Sequence, residues 1–454
     1  MQKKQTKSQT LDMTQGSIVK LLIAFSIPLL LGNLFQQLYN TVDSLVVGNF
    51  VGKEALAAVG STTPVINTLV MFFGGVAVGA SVIISRYFGA HDDEKLHLAV
   101  ETTMALTFVS SIICTVLGVV IAPALLRFMD TPEDVLPQAA EYLEIYFAGV
   151  SGLLIYNMGS GILRAVGDTK RPLYFLILSS IMNIVLDLVF VINFNMGIAG
   201  VAYATIISQF VSSILVLIIL TKSTENYRFV WRDMRFDKSM MTQIFTVGLP
   251  VGLQQALTSF SNVYVQSYIN SFGSSCMAGW SSYVKIDSFL MLPLQSMASA
   301  STTFASQNIG AGNLKRVKEG TIKAIGLSCG VIFVFASILW VFAPQMVALF
   351  NKDPEVIYYG VLFLRLCVFM VMICCPTQMF AGTLRGAGDA KSPMFIMLFS
   401  YVVFRQIYLY IVNRFFYSPY TIGFGYPAGW FVCAVLMALS YKFSGWDKKL
   451  KMDH

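Results

Sequence analysis

Two aspartates lie inside long apolar stretches of this sequence, where a charged side chain is costly. Asp43 and Asp187 are both surrounded by residues typical of membrane-spanning helices. An ionised side chain at the centre of such a helix costs at least ~2.5–3.5 kcal/mol, so its presence indicates a function by default. Asn183 precedes Asp187 by four residues, which puts the two on one face of a helix. Such oxygen ligands could bind Na⁺, or one carboxyl group could carry a proton.

Two further polar residues are expected at the depth of these carboxylates. Both aspartates lie a few residues below the outer ends of their helices, in the outer half of the membrane. Tyr142 on the fourth helix and Thr205 on the sixth reach a comparable level. The predicted cation-coupling site therefore comprises Asp43, Tyr142, Asn183, Asp187 and Thr205. The alternative is that the two aspartates are structural hydrogen-bond anchors between helices.

Other polar residues within the apolar stretches are candidates for a substrate path. Gln36 and Asn40 share a helical face with Asp43. Such a polar stripe on a membrane helix must face protein or water. Lys285 and Asp287 are two residues apart, so they do not face each other; they either pair with other helices or line a cavity. The candidate path comprises Gln36, Asn40, Lys285, Asp287 and Gln378.

The composition indicates an all-α polytopic membrane protein. Hydrophobic residues make up 56% of the 454 residues and charged residues only 12%, whereas soluble domains carry about 25% charged residues. About 20 apolar residues suffice to cross a bilayer core, and runs of this kind recur throughout. The runs predict twelve transmembrane helices, at 18–47, 57–84, 98–122, 138–162, 172–192, 197–220, 241–270, 278–305, 319–343, 356–383, 394–413 and 424–443.

Lysine and arginine predict the orientation of these helices. The two termini and the loops on their side hold 24 of these residues, and the opposite loops hold four. The positive-inside rule then puts both termini in the cytoplasm of a cell (inner or plasma) membrane protein. A basic cytoplasmic linker at 221–240 separates a predicted N-lobe at 1–220 from a C-lobe at 241–443, and 444–454 form a cytoplasmic tail.

The two halves repeat one another in the same order and at a nearly constant spacing. A turn at 163–172 returns at 384–393. In each copy we expect a glycine to adopt a positive φ and the following aspartate to cap the next helix. These residues are Gly167 and Asp168 in the first copy and Gly388 and Asp389 in the second.

The repeat is broken at the charged positions of the fifth helix. Phe404 and Tyr408 stand where Asn183 and Asp187 would recur, so the N-lobe is the half in which we expect the ion. Since each half has an even number of helices, the repeats share one orientation. They should be related by an axis along the membrane normal, with substrate between the two bundles, as in transporters built from parallel repeats.

Several function classes find no support in the sequence. The Gly-x-x-Lys arrangement of the turn lacks the strand and the glycine pattern of a nucleotide loop, so transport would have to be driven by an ion. The cysteines and histidines show no metal-site or thiol-catalyst spacing, and the net charge of +7 follows from topology rather than from nucleic-acid binding. We expect no enzyme activity, no cofactor, and no metal beyond Na⁺ at Asp43, Asn183 and Asp187.

Four features together resemble the multidrug and toxic compound extrusion (MATE) family over nearly the whole chain. They are the first-helix stretch from Ile27-Pro28 to Val42-Asp43, the paired Leu-Arg-x-x-Gly-Asp turns, Gly89-Ala90 with its repeat in Gln307–Gly312, and Asn183-x-x-x-Asp187. The resemblance implies two six-helix lobes in a V-shaped, usually monomeric antiporter. Such a protein exports amphipathic, often cationic compounds against Na⁺ or H⁺.

The resemblance also implies which residues bind the coupling ion. The family's N-lobe site matches the five residues named above. Some branches instead use a glutamate on the seventh helix and an aspartate on the tenth. Here those regions carry Gln254, Gln255, Thr377 and Gln378, so a C-lobe carboxylate site is not expected, with Asp287 as a partial substitute only.

Two alternatives to efflux follow from the same residues. The first is a flippase for a lipid-linked precursor, for which Lys285, Arg365 and Arg405 would supply positive charge. The second is a membrane sensor or scaffold that transports nothing, in which neutralising Asp43 or Asp187 would have no effect. If the protein is an efflux transporter, we expect it to interact with an amphipathic small molecule and with membrane lipid, and not with nucleic acid.

Overall fold

The chain is almost entirely helical. A computed structural model describes residues 10–129 and 131–447, apart from the side chains of Lys53 and Phe128, and within these ranges it contains no strand. The α-helices, numbered in chain order, fall into two groups. The first comprises α1 (Ile18–Val46), α2 (Lys53–Gly89), α3 (Asp93–Phe128), α4 (Leu136–Ala148), α5 (Val150–Ala165), α6 (Lys170–Leu188) and α7 (Gly197–Lys222).

The second group carries the later half of the chain. It comprises α8 (Lys238–Asn270), α9 (Ser274–Gly310), α10 (Leu314–Val341), α11 (Ala343–Ala348), α12 (Pro354–Cys367), α13 (Cys374–Gly386), α14 (Lys391–Leu398), α15 (Arg405–Phe415), α16 (Pro419–Gly423) and α17 (Gly425–Phe443). Short non-α turns of helix extend or join these elements. They are π-helical at Val47–Val51, Val189–Asn193 and Phe399–Phe404, and 3₁₀ at Met370–Ile373.

The helices match the twelve predicted transmembrane segments one for one. Within the described residues, nine helical stretches are long and apolar enough to cross a membrane, and the bent pair α4–α5 makes a tenth. The remaining two predicted segments are α8 and α9, which are long but less apolar. Most of the apolar side chains outside the core remain exposed along these helices, as expected for surfaces that face lipid.

The fourth predicted helix is bent rather than straight. It divides at Gly149 into α4 and α5, whose axes differ by 48°. A Cβ atom at Gly149 would lie 2.3 Å from Cγ2 of Ile206, so glycine lets α7 approach the bend closely. Sequence periodicity within the fourth segment does not contain this information, because the close neighbour lies on another helix.

The two repeated turns have the predicted geometry. Gly167 and Gly388 have φ of 87° and 88°, the left-handed region that favours glycine. The carboxylate of Asp168 accepts from the backbone N–H of Arg171 at 3.2 Å. Its counterpart Asp389 accepts from the backbone N–H of Ser392 at 3.0 Å. Both predicted helix caps are confirmed.

The chain divides into two compact units whose boundaries differ from the predicted lobes. Unit 1 is Met1–Asp12 with Leu31–Phe245, and unit 2 is Met13–Leu30 with Thr246–His454. The first half of α1 therefore groups with the later half of the chain. The predicted linker at 221–240 is part of unit 1 rather than a separate connection. Residues 448–454 of the predicted tail lie outside the described residues.

Backbone hydrogen bonds explain both differences. In unit 2, the N–H of Met13 donates to Oε1 of Gln307 at 2.8 Å, and the Met13 carbonyl accepts from Nδ2 of Asn308 at 3.0 Å. In unit 1, the N–H of Val230 donates to the buried carboxylate of Glu101 at 2.8 Å. Such contacts fix each segment to the unit whose side chains it uses.

The register of the repeat also shifts by one residue within the eleventh predicted helix. At the turn, Gly167 corresponds to Gly388, and the π-helical turn Phe399–Phe404 follows the second copy. A π turn accommodates one extra residue in a helix, so every correspondence beyond it moves along by one. The buried positions there are Arg405 and Leu409. They, and not Phe404 and Tyr408, correspond to Asn183 and Asp187.

Candidate cation site and substrate path

Unit 1 brings the two predicted carboxylates together. Asp187 and Asn183 lie one helical turn apart on α6, with exposed fractions of 0% and 1%. Asp43 lies near the end of α1 and is half-buried. Its carboxyl group lies close to that of Asp187. Two acidic groups from separate helices thus lie next to each other.

Tyr142 joins this pair from α4. Its ring is 6% exposed, and its hydroxyl group lies within electrostatic range of both Asp43 and Asp187. Thr205 is buried on α7, and its hydroxyl donates to the carbonyl of Val201 at 3.0 Å. That hydroxyl can therefore accept from a ligand or coordinate it, but its proton is already used. Its participation in the site stays a prediction.

Three further polar residues surround the site and were not predicted. Tyr39 lies near Asp43. Tyr146 stacks on Tyr142 with ring centroids 6.4 Å apart and interacts with Gln209. A signal for both tyrosines was present in the sequence: Tyr39 precedes Asp43 by four residues, and Tyr146 follows Tyr142 by four, so each pair shares a helical face.

Most of the polar atoms contributed by the two aspartates and Asn183 lack hydrogen-bond partners. Within the described residues, both carboxylate oxygens of Asp187, Oδ1 of Asp43 and both amide atoms of Asn183 are buried without a hydrogen-bond partner. A buried charge without compensation costs several kcal/mol. Two facing carboxylates can relieve this by sharing a proton or by coordinating a cation between them.

The chemistry of the ligands favours a hard cation or a proton over a transition metal. The described residues contain no group of three or more His, Cys, Asp and Glu side chains that could hold a metal ion. A cation between Asp43 and Asp187 would complete its shell with neutral oxygens, for which the amide of Asn183 and the hydroxyl of Tyr142 are at hand. Such weak, oxygen-rich shells suit Na⁺.

The candidate substrate-path residues do not form one cluster within either unit. Gln36 and Asn40 are exposed on α1 in unit 1. In unit 2, Lys285 is exposed, with its Nζ 5.5 Å from the ring centroid of Phe350. Asp287 instead points among aromatic side chains, with its Oδ1 buried and without a hydrogen-bond partner. As expected from their spacing, Lys285 and Asp287 do not face each other.

The rest of unit 2 contributes a half-buried Gln378 and one apolar cavity. The cavity measures about 210 Å³. It lies among the first half of α1, the segment of α9 at Pro293, and α10. Ser26 and Ser328 are among the few polar residues at its wall. Its lining could accept an apolar group, and Gln378 keeps its place on the candidate path as a prediction.

Comparison with known proteins decides the family. The MatE family profile matches residues 28–189 and 250–411, once in each half of the chain. The chain belongs to the MatE family. It is similar to the probable multidrug resistance protein YpnP of Bacillus subtilis (strain 168), with 31% identity over 97% of this chain and 98% of that protein. The chain is also similar to the probable multidrug resistance protein YoeA of the same strain, with 29% identity over 99% of this chain and 98% of that protein.

Solved structures of this family share the fold. One described as MATE in the straight conformation aligns with a TM-score of 0.91 and 26% identity, covering 99% of this chain and all of the other. Another, described as an outward-facing multidrug resistance MATE family transporter, aligns with the same TM-score, identity and coverage. The predicted fold, twelve transmembrane helices in two six-helix bundles, is thereby confirmed. The prediction of a membrane transporter rather than an enzyme is confirmed as well.

Both family-profile matches also bear on the repeat. They begin at positions 28 and 250 and end at positions 189 and 411, so the two matches have equal length. The register that pairs 189 with 411 also pairs Asn183 with Arg405 and Asp187 with Leu409, in agreement with burial. Neither alternative to efflux, the flippase or the sensor, is favoured by the relatives.

Proposed function

We propose that this protein exports amphipathic, often cationic compounds and that H⁺ or Na⁺ taken up at the N-lobe carboxylates drives the export. The observation that carries the coupling is the pair Asp43 and Asp187, whose buried oxygens lack hydrogen-bond donors. Relatives named as multidrug resistance and multidrug export proteins support the transport activity. No group in the site points to covalent chemistry.

The charge of the pair would act as the switch. Two unit charges about 4 Å apart repel by about 4 kcal/mol at an effective dielectric constant of 20. A proton or Na⁺ bound between Asp43 and Asp187 removes this repulsion. Moving a two-state equilibrium from 1:99 to 99:1 takes about 5.5 kcal/mol, so relief of the repulsion would supply part of the shift that alternating access needs.

The first helix would transmit the change. Asp43 lies on α1, and Pro28 lies within the same helix, where it removes a backbone hydrogen bond and allows a bend. The half of α1 before Leu31 belongs to unit 2, and the half that carries Asp43 belongs to unit 1. Drawing Asp43 toward Asp187 or releasing it therefore acts on a helix that both units share.

The setting of the transporter follows from the same proposal. The lysine and arginine distribution supports cytoplasmic termini in a cell membrane. The substrate is an amphipathic small molecule that reaches the protein from water or lipid, and the protein works as a monomer. Nucleic acid has no part in this function.

Replacing each aspartate tests the proposal. Asp187→Asn and Asp43→Asn keep the size of the side chain and remove its charge, while Asp93→Asn makes the same change at an exposed carboxylate on α3. In proteoliposomes, ethidium export is measured under an imposed H⁺ gradient and, separately, an Na⁺ gradient. We expect gradient-driven export to disappear in the first two variants and to persist in the third.

A second measurement separates coupling from folding. Each purified variant is checked for a single gel-filtration peak and then for proton release when Na⁺ is added in weak buffer. Unchanged export under both gradients in Asp187→Asn and Asp43→Asn would rule out the N-lobe mechanism. Loss of export in all three variants would point to a general effect of substitution.

A further inference from the structure

Unit 2 contains an arginine that is buried inside a membrane helix without an acidic partner. Arg405 begins α15 and is 3% exposed. Its Nη2 donates to Oγ of Ser261 and to Oδ1 of Asn262, both at 2.8 Å. The guanidinium group lies 4.7 Å from the ring centroid of Tyr426. These neighbours position the charge but do not neutralise it.

The positive charge of Arg405 is not compensated by a carboxylate. No ion pair involves it among the described residues, and its Nε–H is buried without a hydrogen-bond partner. The groups that face it are the hydroxyls of Tyr401 and Tyr426. Asp287 lies within range of the Tyr426 hydroxyl and makes no ion pair with Arg405. A buried guanidinium in this state retains an unused donor and an unbalanced charge.

The repeat shows that this arginine occupies the counterpart of the cation site. In the register beyond the π turn, Arg405 corresponds to Asn183 and Leu409 to Asp187. The register that pairs the starts of the two family-profile matches also pairs Asp43 on α1 with Val265 on α8. Apolar residues of unit 2 thus stand at the positions of the two aspartates of unit 1. A cationic arginine stands at the position of the Asn183 amide. The same place in the two halves carries opposite charge.

The hydrogen bonds of Arg405 to Ser261 and Asn262 do not by themselves require a positive charge. The two hydrogen bonds from Nη2 to Ser261 and Asn262 could be made by a neutral amide, which would avoid the cost of a buried ion. Arginine is favoured where a planar fork of N–H donors must recognise a carboxylate or phosphate. The Nε–H of Arg405 has no partner and could donate one of the two hydrogen bonds of such a bidentate contact.

We propose that Arg405, with Asn262 and the ring of Tyr426, binds the carboxylate of transported compounds that carry one. The inference rests on the proposed efflux function and assigns to Arg405 the selection among its substrates by their acid group. Asn262 is exposed and Tyr426 is half-buried, so one layer of side chains separates the guanidinium from the surface of unit 2. The aromatic side chain would pack against the apolar part of the compound.

A pair of dyes tests this proposal directly. A rhodamine with a free carboxylate and its methyl ester share one cationic ring system and differ only at the acid group. Export of both is measured in phosphatidylcholine proteoliposomes for wild type, Arg405→Gln and Arg365→Gln. The control, Arg365, is an exposed arginine on α12 whose guanidinium lies 4.9 Å from the Trp340 ring centroid.

The readout is the ratio of carboxylate export to ester export. Loss of one charge-assisted hydrogen bond of about 1.5–3 kcal/mol should lower this ratio roughly tenfold or more in Arg405→Gln and leave it unchanged in Arg365→Gln. An equal fall in the export of both dyes in Arg405→Gln, with the ratio unchanged, would mean a structural role and overturn the proposal. If wild type exports neither dye, the proposed efflux function fails instead.

Binding to the wild-type protein provides a test that needs no variant. Fluorescence anisotropy of the purified protein should show the carboxylate dye binding roughly tenfold more tightly than the ester. Equal affinities would overturn the proposal even if Arg405→Gln does not fold. The measurement is repeated with phosphatidylglycerol added, and a preference that disappears would assign the site to an anionic lipid headgroup rather than to the transported compound.

Discussion

Replacing Gly167 with alanine should destabilise the protein through the backbone of the N-terminal segment. Gly167 has φ of +87°, which costs a non-glycine residue roughly 1–2 kcal/mol. A Cβ at this position would also lie 2.3 Å from the carbonyl oxygen and 2.6 Å from the amide nitrogen of Leu11. Because both are backbone atoms, no side-chain rotation can relieve the overlap.

The chain offers a matched control for the strain alone. Gly312 has φ of +71°, and a Cβ there would meet nothing within 4 Å. Its repeat counterpart is His91, a side-chain-bearing residue with φ of +54°, so this conformation tolerates a side chain. We expect Gly312→Ala to lower the free energy of unfolding by about 1 kcal/mol, the strain contribution only.

Gly167→Ala adds overpacking of roughly 1–3 kcal/mol to that strain, for a total of about 3 kcal/mol. The free energy of unfolding is measured for wild type and both variants by equilibrium denaturation in mixed micelles of dodecyl maltoside and sodium dodecyl sulfate. The ordering of the two variants is the result that matters. A Gly167→Ala variant no less stable than Gly312→Ala would show that Leu11 does not pack against the turn as described.

Four other changes have defined outcomes. Asp92 caps α3 by accepting from the N–H of Lys95 at 3.1 Å, so Asp92→Ala should lower the free energy of unfolding by about 1 kcal/mol near neutral pH. The backbone and side-chain hydrogen bonds from Lys95 lower the pKa of Asp92. The stability that this carboxylate contributes is therefore present above its unfolded pKa of about 3.9 and is lost as pH falls through the folded value. Denaturation curves of Asp92→Ala and wild type should accordingly converge in acid. Glu101→Ala removes the hydrogen-bond acceptor for the N–H of Val230 and should speed tryptic cleavage at Arg232 and Arg235 roughly tenfold. Glu101→Gln keeps an acceptor oxygen and should not speed this cleavage. Equal cleavage rates in the two variants would contradict the packing of this segment against Glu101. The remaining two changes are those described above. Asp187→Asn should abolish gradient-driven export, and Arg405→Gln should lower the ratio of carboxylate export to ester export.

Features encoded locally could be predicted from the sequence. The twelve segments follow from hydropathy, and the repeated turns follow from glycine and aspartate at fixed spacing. The proximity of Asp43 and Asp187 was expected because both carboxylates lie at a similar depth in apolar runs, where a charge is costly; their role in coupling stays a prediction. Tyr142 followed from its depth and from the family resemblance. Each of these inferences needed only one helix or one turn at a time.

Features that depend on contacts between helices could not be predicted. The bend at Gly149 lies where Ile206 of another helix approaches closely. The assignment of 221–240 to unit 1 depends on Glu101, which lies far away along the chain. The correspondence of Arg405 with Asn183 depends on a π turn, because one inserted residue changes which side of a helix is buried. Spacing alone therefore pointed to Phe404 and Tyr408.

The division of the chain into units has a consequence for whether either half could fold when expressed alone. Each repeat gives up its opening segment to the other unit: Met13–Leu30 goes to unit 2, and the residues before Thr246 go to unit 1. This is the pattern of an exchanged arm, as in swapped dimers, here within one polypeptide. A gene cut at the linker would yield a C-terminal fragment without the α1 wall of its apolar cavity and without the Met13 partner of Gln307. Such a fragment could make these contacts only if Met13–Leu30 were supplied from another chain.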